Sequence, residues 1–213
     1  MVKIYVADVA ALEEETTYRR YYESLSPQRQ AKADKIKPRS GKLLCVGAGA
    51  VLNMLLRERG LRERDMEYVF GPNGKPCFAG APQVHFNLSH AGSRVMAAVA
   101  DCEVGCDIEP VREIEEKLAR RFFSESECAY IDALPESEKT AGFFRVWTLR
   151  ESFVKATGAG LAGAGGLSLR FEGGRVTANG GRFYFYEKDL PAGYKCAVCT
   201  PEAVEPDWMI VKL

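Results

Sequence analysis

Residues 94–110, "RVMAAVADCEVGCDIEP", limit the fold more than any other stretch of the chain. After Arg94 the first run is apolar and reads as a buried strand. "VGCDIE" reads as another strand, joined to it by a tight connection near Cys102–Glu103. Side chains alternate faces along a strand. Val104, Cys106 and Ile108 therefore share one face, and Gly105, Asp107 and Glu109 share the other. Two like charges so close raise each other's pKa. Either that face meets solvent, or the carboxylates have a counter-charge such as a divalent cation. The two readings are even on this stretch alone.

The flanking segments set the class. "KIYVADV" is a short strand. Ser26 as N-cap and Pro27 at the first helical position open a helix over 26–36. "KLLCVGAGAVLNMLLRERG" (42–60) is a mostly apolar helix ended by Gly60, and its run Gly47, Ala48, Gly49, Ala50 suits close packing. "GPNGKP" (71–76) is a turn and "VHFNLS" a strand. Ser124 and Glu127 form a capping box that starts a helix. "SEKTAGFFRVWTLRESFVKATG" (137–158) is a longer helix stopped by Gly158. Strands and hairpins follow, then a tail strand at "WMIVKL". This order favours an α+β fold with antiparallel sheet over a doubly wound parallel fold. A faint echo between "AGSRVMAAV" (91–99) and "AGYKCAVC" (192–199) permits two similar halves with a boundary near residue 102.

Charge adds a second constraint. Lys plus Arg and Asp plus Glu both number 29, a balance that argues against a dedicated nucleic-acid binder. The balance is not uniform. Arg29–Lys42 holds six bases and one acid, while Asp101–Glu138 holds twelve acids and four bases. Most such residues are solvated. Brought together, a basic and an acidic segment would suit a phosphate ligand plus a metal ion. Seven cysteines without framework spacing, no signal-peptide pattern and no apolar run of membrane-spanning length predict a reduced, cytoplasmic protein with no membrane partner. "CAVC" (196–199) reads as structural, since it sits in a strand-like run with no second pair.

Other residues carry chemistry only in combination. Trp147, Glu151 and Lys155 fall at i, i+4 and i+8 on one helix face, where Glu151–Lys155 could be a helix salt bridge and Trp147 core. Ser89–His90 lacks the surroundings of a nucleophile pair and could instead bond a phosphate. "GAGLAG" (158–163) follows a helix rather than a strand, so it reads as a Gly-rich loop and not a dinucleotide fingerprint.

Taken together, "GPNGKP", "FNLSHAG", "VGCDIEPV", "RFFSESE" and "WTLRESFVKATGAGL" resemble the motifs of the large, single-chain Sfp-type phosphopantetheinyl transferases, in order and spacing, over roughly residues 26–165. The resemblance implies two similar α+β halves related by a pseudo-twofold, each an antiparallel sheet with a long helix packed on it. The halves would be 1–102 and 103–213, with the active site between them. It implies Mg²⁺-dependent transfer of the 4′-phosphopantetheine arm of coenzyme A to a serine of an apo acyl, peptidyl or polyketide carrier protein, by a monomer. By position, Asp107, Glu109 and Glu151 would hold Mg²⁺, and Glu151 would serve as base. Lys155 would meet the pyrophosphate, with Arg150 beside it where the family usually has Lys. Ser89 and His90 would bind coenzyme A phosphates, Lys75 would sit by the nucleotide, and Arg29, Lys32 and Lys42 would contact the 3′-phosphate. Cys106 should face the core. Two other readings stand beside this one: another Mg²⁺-dependent phosphoanhydride enzyme acting on a nucleotide, and a non-catalytic coenzyme A-binding module.

Overall fold

The computed structural model describes residues 1–114, 121–160, 166–179 and 181–213. Two sheets are stacked face to face and each outer face carries a long helix. In the first sheet, β1 (Val2–Asp8) lies between β5 (Arg94–Ala100) and β11 (Pro206–Ile210), and β4 (His85–Ala91) pairs with β5. In the second, β10 (Tyr194–Thr200) lies between β6 (Gly105–Pro110) and β9 (Tyr184–Leu190). All these pairs are antiparallel except β1 with β11, which runs parallel. Two short hairpins complete the strands: β2 (Tyr68–Phe70) with β3 (Pro76–Phe78), and β7 (Leu169–Glu172) with β8 (Arg175–Ala178).

The apolar run at 94–100 is buried on both faces because it lies in the middle of this stack. Val95, Ala97 and Val99 point to the first core. There they meet the helix α3 (Arg39–Arg57), whose Val46, Leu52 and Leu56 are fully buried. Met96, Ala98 and Ala100 point the other way, with Val2, Ile4 and Val6, into a core shared with Val104, Cys106 and Ile108. Burying a large aliphatic side chain is worth about 1.5–3 kcal/mol. The alternation read in "VGCDIE" is thus what holds the two sheets together. The tight connection at Cys102–Glu103 is a crossing between sheets, since β6 pairs with β10 and not with β5.

The helix starts follow their caps. Ser26 accepts from the Arg29 amide at 3.3 Å and opens α2 (Pro27–Lys35). The Ser124–Glu127 capping box opens α4 (Glu125–Asp132). Gly158, with φ of 64°, ends α5 (Glu136–Thr157) in the left-handed conformation that favours glycine. One helix was not foreseen: α1 (Glu15–Glu23), whose N-cap Glu14 accepts from the amides of Thr16 and Thr17. The first sheet takes β1, β4 and β5 from the earlier part of the chain, and the second takes β6, β10 and β9 from the later part. Strand β11 crosses back to the first sheet, and Val211 and Leu213 pack on the first core.

Candidate active site

The site forms where the edge of β4, the start of β6 and the end of α5 meet. Gly105 makes this meeting close. A Cβ there would lie 2.0 Å from the Ser152 carbonyl oxygen and 2.2 Å from the Ala156 nitrogen. The space that glycine leaves is filled by the backbone of α5. As a result Asp107, on the same strand face, is brought under Lys155.

Asp107 is 4% exposed. Its Oδ1 accepts from Lys155 Nζ at 2.6 Å and from Ser89 Oγ at 2.7 Å, and Lys155 Nζ also donates to Ser89 Oγ at 3.1 Å. Asp107 Oδ2 is buried with no hydrogen-bond partner. Burial and then the Asp107 charge push the carboxyls of Glu109 and Glu151 above their usual range. Burial lowers the Lys155 pKa, but the Asp107 carboxylate outweighs it, and Lys155 stays firmly charged. Cys106 lies on the opposite face, fully buried, its thiol pushed up to about 12 by burial.

This donor set fits a hard divalent cation in one way and not in another. Among the described residues no three His, Cys, Asp or Glu groups converge into a cage. Mg²⁺ does not need one, because it is usually held by one or two carboxylates, waters and substrate phosphates. The orphaned Asp107 Oδ2 is an acceptor of the right kind, and Glu109 and Glu151 supply negative charge beside it.

Alternation along β4 divides Ser89 from His90. Asn87 and Ser89 reach toward β6, where Asn87 Oδ1 accepts from the Cys106 amide at 2.9 Å. His90 turns instead toward a cavity of about 380 Å³ between α2, α3 and the β2–β3 hairpin. Gln28, Arg29, Lys32, Cys45, Tyr68 and Phe70 line it with His90. His90 is exposed at the rim, yet the protein packed behind it and the charges of Lys155 and Lys32 lower its pKa.

A cleft of about 250 Å³ runs from Asn87 and Leu88 to Lys155, bordered by the 71–76 turn. The turn is tied to the end of α5. Asn73 Nδ2 donates to the Gly158 carbonyl at 2.8 Å, and Lys75 Nζ to the Ala156 carbonyl at 2.7 Å. Lys75 also pairs with Glu103, which lies 3.3 Å from His85 Nδ1. So Lys75 and Lys155 line the cleft, Ser89 and Asp107 bond to Lys155 behind it, the charges of Glu109 and Glu151 act on the same group, and Arg29, Lys32 and His90 line the cavity.

Two expected residues lie elsewhere. Arg150 is buried against Glu127, with Nη1 2.8 Å from both carboxylate oxygens and 3.0 Å from the Leu167 carbonyl. One residue along a helix is a 100° turn, so Arg150 points toward α4 while Glu151 points toward β6. Lys42 lines a separate groove with Asp34 and Arg39, while the preceding Gly41, about 100° round α3, lines the cavity. Of the Gly-rich stretch 158–163, residues 161–163 lie outside the described residues. Sequence reasoning missed Glu63, Asn73, Glu103 and Glu127. Glu127 alone carried a visible signal, its place in the capping box.

The model of the 4′-phosphopantetheinyl transferase superfamily matches residues 103–199. The chain is 31% identical over 197 residues to "4′-phosphopantetheinyl transferase Sfp" of Bacillus subtilis (strain 168), covering 89% of this chain and 86% of that protein. It is 38% identical over 144 residues to "4′-phosphopantetheinyl transferase psf-1" of Bacillus pumilus, covering 62% of this chain and 60% of that one. Among solved structures, the holo-[acyl-carrier-protein] synthase of Thermotoga maritima aligns with a TM-score of 0.41 at 21% identity, over 47% of this chain and 63% of that one.

Proposed function

The chain belongs to the 4′-phosphopantetheinyl transferase superfamily, and we propose how its own residues carry the transfer of the phosphopantetheine arm from coenzyme A to a carrier-protein serine. The carrying observation is the Ser89–Asp107–Lys155 cluster with its orphaned carboxylate oxygen.

The reaction breaks a phosphoanhydride, and negative charge grows on the phosphate oxygens. Lys155, held at 2.6 Å by Asp107, is a fixed cation for that charge, and Lys75 borders the same cleft. Asp107, Glu109 and Glu151 would hold Mg²⁺. When bound, the ion would neutralise charge on the pyrophosphate and orient it. The attacking serine hydroxyl loses its proton to Glu151, directly or through a water, a role that needs a carboxylate oxygen free of the metal. Near-normal turnover of Glu151→Gln at saturating Mg²⁺ would remove that role. Lys32 gives the cavity its uncompensated positive charge, and Arg29 and His90 add N–H donors, a lining suited to the nucleotide phosphate of coenzyme A.

We read the chain as two similar halves, 1–102 and 103–213, related by a pseudo-twofold, with β11 lent back to the first sheet. Each half has one long helix on one sheet, which supports the relation. One chain that holds both halves supports a monomer. Seven cysteines without framework spacing support a reducing, cytoplasmic setting.

The test is incubation with coenzyme A, Mg²⁺ and apo acyl, peptidyl or polyketide carrier protein. The expected result is a carrier mass gain of one phosphopantetheine, abolished by a chelator. Coenzyme A binding with no gain on any carrier would leave only a binding module.

A further inference from the structure

Arg29 is an unusual cation for a ligand cavity, because it is 8% exposed and its guanidinium is already engaged. Nε donates to Glu63 Oε1 at 3.0 Å, and Nη2 donates to the Tyr68 hydroxyl at 2.9 Å. Tyr68 donates in turn to Glu63 Oε1 at 2.6 Å, and its ring lies 5.2 Å from the guanidinium carbon. Glu63 is fully buried. It also accepts from the Ser26 hydroxyl at 2.9 Å and from the Ser26 amide, and its own amide donates to Asn53 Oδ1 at 2.9 Å. The hairpin holding Tyr68 is pinned to α2 by Gln28, which accepts from the Tyr68 amide at 2.8 Å.

This network does two things at once. It cancels the charge of Arg29, since Glu63 is its buried counter-ion. It also fixes the plane of the guanidinium, since two of three nitrogens have set partners. A cavity that attracted phosphate by net charge alone would gain nothing from burying an acid beneath one of its cations. A cavity that recognises a phosphate monoester by geometry gains a preset planar fork, which suits such oxygens better than a point charge. Lys32, exposed on the same helix, supplies the uncompensated charge.

We infer that Glu63 and Tyr68 are positioning residues that hold Arg29 in the orientation that distinguishes coenzyme A from its 3′-dephospho form. The inference rests on the reading of this cavity as the site of the 3′-phosphate.

The experiment is direct titration of the full chain with coenzyme A and with 3′-dephospho-coenzyme A, by calorimetry. The readout is the ratio of the two dissociation constants, which a merely structural defect would leave alone. Tyr68→Phe keeps the ring and removes one hydroxyl, and it should cut the preference for coenzyme A roughly three- to tenfold, the size of one ordinary hydrogen bond. Glu63→Gln gives the sharper sign. Loss of a negative charge would tighten coenzyme A if charge alone governed binding, whereas loss of positioning weakens it and lowers the ratio. Arg29→Ala should collapse the ratio. If Arg29→Ala collapses it while Tyr68→Phe and Glu63→Gln leave or raise it, the positioning role is overturned. If Arg29→Ala itself leaves the ratio unchanged, the 3′-phosphate reading falls, and the inference with it. Should Glu63→Gln fail to fold, Tyr68→Phe still decides.

Discussion

Lys155 Nζ lies 2.6 Å from Asp107 Oδ1, a pairing of helix α5 with strand β6 across the layers of the second sheet and its helix. Asp107→Asn keeps the shape and removes the charge. It should lower Mg²⁺-dependent transfer by at least about 100-fold, the scale of losing one preorganised electrostatic group. Breaking a buried pair costs about 3–5 kcal/mol. Lys155 is about a quarter exposed (27%), which places the loss at the low end. Urea unfolding should remain cooperative at a lower midpoint. A variant that no longer folds would make the carboxylate structural.

Gly105→Ala tests how tightly strand and helix must meet. The added methyl has only backbone to strike, and backbone cannot swing aside as a side chain can. Overpacking of this kind costs about 1–3 kcal/mol or more. Turnover should fall further than stability does, because Lys155 and Glu151 ride on the displaced helix. Equal behaviour to wild type in both assays would mean that α5 has slack there.

Arg150 offers a contrast between sites of similar sequence rank. Arg150→Ala leaves Glu127 buried and short of its main cation, and should cost about 3–5 kcal/mol by thermal unfolding. The KM for coenzyme A should stay near wild type in whatever fraction is folded. A KM rise of tenfold or more with stability intact would return Arg150 to the phosphate.

His90 carries the pH dependence. Its pKa lies below the ordinary 6.5 through partial burial and the Lys155 and Lys32 charges. The unfolded chain therefore takes up the proton first. Stability from the neutral ring is present above pH 6.5 and is lost as pH falls through 6.5 toward the lower folded value. A bound phosphate offsets the two lysines and raises the pKa. NMR titration in a His85→Gln background, which leaves one imidazole, should show a midpoint below 6.5 that moves up with adenosine 3′,5′-bisphosphate. A midpoint that ignores the nucleotide would separate His90 from the ligand.

Much of this arrangement could be read beforehand where a local rule governs it. Strand alternation placed Cys106 in the core and Asp107 opposite, and cap chemistry placed the starts of α2 and α4. Helix spacing put Glu151 and Lys155 on one face. Contacts between distant segments were a different matter. The pairing of Arg150 with Glu127, the cradle of Glu63 under Arg29, and the tie of Asn73 to Gly158 join residues whose separation follows no periodicity. Lys42 shows the same limit. Its charge fitted the basic segment, but its position on α3 turned it to another groove. Gly105 was seen as room beside the acids, and only the packing revealed which neighbour takes that room.

Strand β11 joins β1 in parallel, with Pro206 opposite Val2. The pair joins strands about two hundred residues apart, so β1 meets this partner only after all that lies between them has been made. During the wait one edge of β1 stands open, and Lys3, which ends 4.0 Å from Asp207, is one of the two charged residues of the strand. Charge on an open strand edge discourages pairing with other chains. Completion of the first sheet thus waits for residues made long after β1, which themselves never approach the chemistry.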